Sequence, residues 1–170
     1  GISTHLEFAV VLIDAVLLTH AHLDHCGLLP RLVRDGFRGE IVATAPTCDL
    51  AALVMEDTAR LQLEDAETKQ RRHRREGRAS AHPYEPLYTV EDVERAVGLM
   101  RSVGYGEEIE VPGGVRARFV ESGHILGSAS IVVTERSGGR RMVFSGDVGQ
   151  WNLPIVGDPT LVEEADGVLL

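Results

Sequence analysis

The most constraining feature of this 170-residue sequence is a segment with three histidines and an aspartate in six positions. It reads HAHLDH over residues 20–25 and follows a short apolar run over 16–19. The run predicts a buried strand that ends at a functional loop. Imidazole and carboxylate groups are the usual protein ligands of Zn²⁺. The segment therefore predicts a metal centre at a strand end, and a cluster of surface histidines is the weaker alternative.

The spacing within the segment predicts two ions. His20 and His22 alternate, so both leave the strand end on the same side and can share one ion. Asp24 and His25 lie beyond the turn and can face a second ion. Two ions about 3.5–4 Å apart can hold a bridging hydroxide, position it for in-line attack and neutralise the leaving oxygen.

Helical and strand periods alternate along the chain, and neither an internal repeat nor a low-complexity linker marks a domain boundary. The pattern predicts a short helix that stops at Asp35-Gly36, a strand over 40–43 and a long helix opened by Pro46. The apolar residues expected on the packed side of the long helix are Leu50, Leu53, Val54 and Leu61.

Thr89 followed by Asp92 resembles a capping signature, and we predict a helix from there to about Arg101. Beyond residue 104 the apolar period changes to two, which is typical of hairpins. The strands predicted in this half are 108–111, 115–120, 130–134, 141–145 and 167–170.

Composition excludes several classes of protein. A net charge of −9 argues against a protein that coats nucleic acid by bulk charge, although a local basic surface or metal ions can still hold a polyanion. The longest apolar runs, such as the one over 8–13, are far shorter than the roughly 20 residues of a membrane span, so we expect no membrane association. The two cysteines, Cys26 and Cys48, indicate a reducing compartment, and we expect a cytoplasmic protein.

The HAHLDH segment resembles the signature of the metallo-β-lactamase fold hydrolases. Two later motifs, SGHILGSA over 122–129 and FSGDVG over 144–149, resemble the third and fourth metal motifs of that family. Taken alone, His124 is also consistent with a structural or exposed residue, and Asp147 with a turn residue. The metal ligands that the resemblance implies are His20, His22, Asp24, His25, His124 and Asp147.

The resemblance also implies roles. The ligands of one ion are His20, His22 and His124, and those of the other are Asp24, His25 and Asp147. The catalytic residues implied are Asp147, which bridges the ions, and Asp24, which orients the hydroxide. The expected cofactors are two Zn²⁺ ions, and Mn²⁺ also suits a site that contains carboxylates.

The sequence motifs GHILGSA and PTCDLA resemble those of the β-CASP branch of this family. That resemblance implies an α+β protein, an αββα sandwich with metals at one sheet edge, and hydrolysis of phosphodiester bonds, mostly in RNA, by endonucleolytic or exonucleolytic action. Members of the branch continue with an acidic motif, an inserted cap domain and late histidines. We therefore expect residues 1–170 to be a partial metallo-β-lactamase domain, and a homodimer is a further expectation for the full-length protein.

Basic residues are concentrated near the end of the long predicted helix, at Arg71, Arg72, Arg74 and Arg75. One interpretation is a track for a nucleic-acid backbone. The other is a solvated helix face that compensates nearby acids through i,i+4 pairs such as Asp65–Lys69. Tyr84 and Tyr88 are expected to pack under the helices. The remaining histidines, His5, His73 and His82, are expected to be exposed.

Two other functions stay open. A hydrolase of the same fold acting on a thioester, lactone or lactam uses the same hydroxide on a carbonyl, so the metal ligands do not discriminate. The sequence motifs GHILGSA and PTCDLA favour the nuclease. A non-catalytic subunit of an RNA-processing complex is the third hypothesis, and the presence of all six ligands argues against it.

Overall fold

The computed structural model describes residues 10, 12–77, 84–137 and 139–170. In this part of the chain two β-sheets pack face to face, and helices cover the outer face of one of them. This is the α+β arrangement that the sequence predicts, with the helix, sheet and sheet layers of the αββα sandwich. His5 and His82 lie outside the described residues.

The first sheet is parallel and has the order β1-β2-β3. Its strands are β1 (Ala15–Leu17), β2 (Glu40–Thr44) and β3 (Met100–Val103). The helices that connect them are α1 (Leu23–Cys26), α2 (Leu29–Arg34), α3 (Ala45–Arg75) and α4 (Val90–Val97). Parallel neighbours require such crossover connections, because a tight turn cannot join the end of one strand to the distant start of the next.

The second sheet has the order β4-β5-β6-β7-β8 and is antiparallel except for the parallel pair β7 and β8. Its strands are β4 (Glu108–Val111), β5 (Val115–Glu121), β6 (Ala129–Glu135), β7 (Arg141–Phe144) and β8 (Gly167–Leu169). The predicted strands 108–111 and 115–120 form one hairpin, and 130–134 and 141–145 form another, as their order in the sequence indicates. Gly113 and Gly114 have φ angles of 94° and 80° in the first hairpin turn, a conformation that favours glycine.

The core has two parts that share strand β2. Ile41 is fully buried against the helices, whereas its neighbour Val42 is buried against the second sheet. Successive side chains of a strand point to opposite faces, so a strand with two covered faces needs consecutive apolar residues. Phe119 and Ile131 of the second sheet complete the layer between the sheets.

The predicted helix from Thr89 to Arg101 is wrong at its end. The capping box is present, with Asp92 N donating to Thr89 Oγ1 over 3.4 Å and Thr89 N donating to Asp92 Oδ2 over 2.9 Å. The helix nevertheless ends at Val97, and β3 begins at Met100. Pairing with β2 overrides the local pattern, because a distant parallel strand satisfies the backbone groups of residues 100–103.

The predicted packed side of the long helix is also partly wrong. Leu53 and Leu61 are 64% and 57% exposed, although Leu50 and Val54 are partly buried. The residues of α3 that are buried in the core are Thr47, Ala51, Met55, Ala59 and Ala66. Small alanine side chains let the helix lie close to the sheet, which local hydrophobicity alone does not indicate.

Near the end of α3, the expected exposure of His73 is wrong. His73 is partly buried, and its Nε2 shares a hydrogen bond of 3.3 Å with the hydroxyl of Tyr84. Tyr88 is buried as expected, with 1% of its surface exposed. No helix among the described ranges is both long and apolar enough to cross a membrane.

Candidate metal centre

Four side chains from three separate loops meet at one edge of the sandwich. His20 and His22 follow β1, His124 lies in the loop between β5 and β6, and Asp147 follows β7. One ligand-type atom from each lies within 4.8 Å of the corresponding atoms of the other three. The loops are distant in sequence, so the sandwich itself brings these donors together.

The distances in this group match those expected between ligands of one ion. His22 Nδ1 lies 3.2 Å from His20 Nε2 and 3.1 Å from His124 Nε2. Asp147 Oδ2 lies 3.4 Å from His124 Nε2 and 3.8 Å from His20 Nε2. Ligand atoms bound tetrahedrally to one zinc ion at 2.0–2.1 Å lie about 3.3 Å from one another. The donor set therefore fits a divalent ion of this size.

The other oxygen of Asp147 faces a second group. Asp147 Oδ1 lies 3.6 Å from His25 Nε2, and this nitrogen lies 3.6 Å from Asp24 Oδ2. Asp24 is 79% exposed, so this group opens to solvent. The structure thus brings all six predicted ligand residues to one place, with Asp24 and His25 just outside the tightest cluster and Asp147 between the two groups.

Burial keeps His20 neutral. Its side chain is 1% exposed, and loss of hydration, followed by the nearby charge of His25, lowers its pKa from 6.5 to about 4. Thr19 Oγ1 lies 3.1 Å from His20 Nδ1, on the side of the ring away from the Nε2 that faces the cluster. A neutral imidazole with a free nitrogen is the form that binds a metal ion.

Cys26 adjoins the cluster in sequence but does not resemble a ligand. It is fully buried, its Sγ donates to the Ala21 carbonyl over 3.5 Å, and burial raises its pKa to about 11. Buried cysteines in such surroundings are structural rather than reactive. Cys26 is therefore a small packing residue at α1.

The loop that carries His124 is held by buried side chains. Ser128 Oγ accepts hydrogen bonds from His124 N at 3.0 Å and Ile125 N at 3.1 Å. The Gly127 carbonyl accepts from Thr44 Oγ1 at 2.5 Å and Thr47 Oγ1 at 2.8 Å. Sequence reasoning missed both threonines. The available signal was two hydroxyl residues around Pro46, but their partner lies 80 or more positions away.

Close glycine contacts lock the Asp147 loop to its neighbours. Gly149 N donates to Ser122 O over 2.9 Å, and a Cβ placed on Gly149 would lie 1.6 Å from Gly123 O. Gly146 has a φ of 53°, and a Cβ there would lie 2.8 Å from the Thr19 side chain. The backbone around Asp147 therefore approaches the other two ligand loops as only glycine permits.

The arginine cluster lies elsewhere. Residue 71 is 24 positions along α3 from Thr47, or about 36 Å at 1.5 Å per residue. Arg71 pairs with Glu67 at 2.9 Å and Arg72 with Glu76 at 3.0 Å, both at i,i+4 spacing. The predicted pair of Asp65 and Lys69 is present at 2.5 Å. These pairs favour the solvated-face interpretation for Arg71 and Arg72, and nucleic-acid binding by the four arginines stays a prediction.

Comparisons with known proteins agree with this geometry. The sequence profile of the Metallo-beta-lactamase superfamily matches residues 10–165. Ribonuclease TTHA0252 of Thermus thermophilus is 40% identical over 157 residues, which cover 92% of this chain and 31% of the ribonuclease. Transcription termination factor FttA of Methanothermobacter thermautotrophicus is 37% identical over 142 residues, which cover 83% of this chain and 20% of the factor. This chain therefore spans less than a third of either relative.

A solved structure supports the same fold. A mutant of the HARLDQ-motif metallo-beta-lactamase of Cronobacter sakazakii superposes with a TM-score of 0.51 at 17% sequence identity. The superposition covers 86% of this chain and 46% of that protein.

Proposed function

Because this chain belongs to the metallo-beta-lactamase superfamily, we propose that it forms the metal-binding part of a hydrolase that cleaves phosphodiester bonds in RNA. The observation that carries the proposal is the position of Asp147, whose two oxygens face two separate groups of ligand residues. The names of the two relatives, a ribonuclease and a transcription termination factor, support RNA as the substrate class.

We propose two divalent ions as cofactors, Zn²⁺ in preference to Mn²⁺. The nitrogen-rich group of His20, His22 and His124 suits zinc, whereas carboxylates such as Asp24 also accept manganese. Such ions, when bound, lower the pKa of water and offset negative charge on a phosphate.

The residues of the chain divide the remaining work. His20 is held neutral by burial and offers Nε2 at any pH well above 4. Asp147 lies between the two groups of ligand residues and directs one oxygen toward each group. Asp24 is the most exposed carboxylate of the cluster, so we assign it the orientation of the attacking water and the removal of its proton.

Three further expectations stay proposals. A cytoplasmic location rests on the two cysteines, which are free thiols in the structure. A homodimer is proposed for the full-length protein, together with the division into a partial metallo-β-lactamase domain over 1–170 and a separate cap domain.

The test compares substrates and variants. We expect the full-length, zinc-loaded protein to cut labelled single-stranded RNA, and His22→Ala and Asp24→Ala to abolish cleavage. The matched controls His73→Ala and Asp57→Ala remove one histidine and one aspartate from α3, and both variants should keep activity. Hydrolysis of a thioester or a chromogenic β-lactam with RNA left intact would identify the other hydrolase class. RNA binding without hydrolysis of any substrate would identify a non-catalytic subunit.

A further inference from the structure

We propose that Thr44 and Thr47, called here the threonine pair, are positioning residues for the metal centre. They act through the Gly127 carbonyl on the loop that carries His124. This inference rests on the proposed metal-binding function and adds two residues that do not themselves face the ligand cluster.

The threonine pair is buried and joins distant parts of the fold. Thr44 ends β2 and caps α3, and Thr47 lies in the first turn of that helix. Their side chains are 2% and 0% exposed. The two hydroxyls contact the same carbonyl oxygen, that of Gly127, across 83 and 80 residues of sequence. The start of α3 thus contacts the loop over residues 122–128, which carries His124 and is called here the metal loop.

The two hydroxyls also contact each other, since Thr44 Oγ1 lies 3.0 Å from Thr47 Oγ1. A carbonyl oxygen has two lone pairs, and each threonine hydroxyl has one proton to donate. Thr44 Oγ1 in turn accepts from Thr47 N at 3.4 Å, which caps the helix. Buried groups that lose a partner cost free energy, so removal of one hydroxyl leaves the carbonyl under-satisfied.

Gly127 adopts a conformation and an approach that make this contact possible. Its φ is 83°, and a Cβ at this position would lie 2.7 Å from Thr47 N and 2.9 Å from Thr44 Oγ1. The loop backbone therefore lies directly against the helix start, with no room for a side chain.

The contact passes to His124 over a short path. Ser128 follows Gly127, is fully buried, and accepts hydrogen bonds from His124 N and Ile125 N. Its carbonyl accepts from the Tyr105 hydroxyl at 2.8 Å. The backbone of His124 is thus fixed by the turn that the threonine pair anchors, while its Nε2 stays 3.1 Å from His22 Nδ1.

A ligand held in place before the ion arrives binds it more tightly, because less ordering accompanies binding. Removal of residues that orient metal ligands typically costs 10–100-fold in affinity. We expect Thr47→Val, which keeps the shape and removes the hydroxyl, to weaken Zn²⁺ binding about tenfold. The change should also alter the visible spectrum of the Co²⁺-loaded protein, a signature that general destabilisation does not produce.

The experiment measures Zn²⁺ affinity by competition with a chromophoric chelator, the Co²⁺ spectrum and the melting temperature of the metal-free protein. Thr58→Val is the matched control, since Thr58 Oγ1 donates to Val54 O at 2.7 Å within α3, away from the metal loop. Thr47→Ser keeps the hydroxyl and should restore affinity to within about threefold of the wild type.

Wild-type affinity and spectrum in Thr47→Val, or failure of Thr47→Ser to restore them, would overturn the proposal. If Thr47→Val does not fold, Thr47→Ala removes the hydroxyl without a methyl group against the carbonyl and is judged by the same readouts. The proposed function fails separately. A wild type that binds zinc but cuts no RNA refutes the nuclease and leaves the threonine pair standing. RNA cleavage with unchanged zinc affinity in Thr47→Val refutes the pair alone.

Discussion

The ligand-bearing edge of the sandwich and the far end of α3 are both rich in charged and polar groups, but they are built differently. At the edge, contacts join residues that are far apart in sequence, as in the hydrogen bond from Thr44 to Gly127. At the helix end, contacts join residues four positions apart, as between Glu67 and Arg71. Long-range buried contacts hold groups in one geometry, whereas exposed local pairs contribute little. Equivalent substitutions should therefore have unequal effects in the two regions.

The largest difference is expected for aspartates. Asp147→Ala removes the carboxylate that faces both ligand groups, so we expect loss of metal binding and a fall in RNA cleavage of about 10³-fold or more. Asp65→Ala at the helix end removes one exposed ion pair and should leave both properties unchanged. Metal content by atomic spectroscopy and single-turnover cleavage check this. Equal effects of the two changes would show that the ligand-bearing edge and the far end of α3 do not differ in this respect.

Glycines provide the second test. Gly149→Ala forces a methyl group against the Gly123 carbonyl, and we expect a loss of about 3 kcal/mol in the free energy of unfolding. Gly77→Ala, just after α3, meets nothing within 4 Å and suffers only from its φ of 64°. Its cost should be about 1 kcal/mol. Urea denaturation measures the free energy of unfolding of both variants. A smaller loss for Gly149→Ala than for Gly77→Ala would contradict the close approach of the two ligand loops.

Acid should weaken the ligand-bearing edge. The pKa of His20 is about 4 in the folded state against 6.5 for an unperturbed histidine, so the unfolded state binds more protons as the pH falls below 6.5. The metal-free protein should be less stable by about 2 kcal/mol at pH 5 than at pH 7.5 from this group. His20→Asn should reduce this pH dependence. Denaturation curves at the two pH values measure the free energy of unfolding. If this free energy changes with pH as much in His20→Asn as in the wild type, another group is responsible.

The smallest effects are expected for the arginine cluster. Arg71→Gln and Arg72→Gln remove exposed i,i+4 pairs and should each cost less than about 0.5 kcal/mol in stability. If this face is only solvated, RNA affinity should change less than about threefold. A tenfold loss of affinity in the double variant, with a shallower dependence on salt, would instead show a phosphate track. Arg60→Gln, an exposed residue nearer the start of α3, is the matched control.

Much of the fold was predictable because its signals are local. The alternation of apolar residues located both hairpins, and Thr89 with Asp92 located the start of α4. The type and spacing of the residues from His20 to His25 indicated metal chemistry, and resemblance to a family added His124 and Asp147. The end of α4 and the packed side of α3 were predicted incorrectly, because β2 and its sheet decide them.

The sequence by itself determined which residues are able to bind a metal and where most strands and helices begin, with β3 as the exception. Residue chemistry and backbone preference act over a few neighbours, and this is why those features could be predicted. Only the tertiary structure decided that Asp147 divides its oxygens between two groups and that the threonine pair contacts Gly127. These contacts cross between sheets and loops separated by many residues. Their energy depends on distances that exist only once the two sheets have packed.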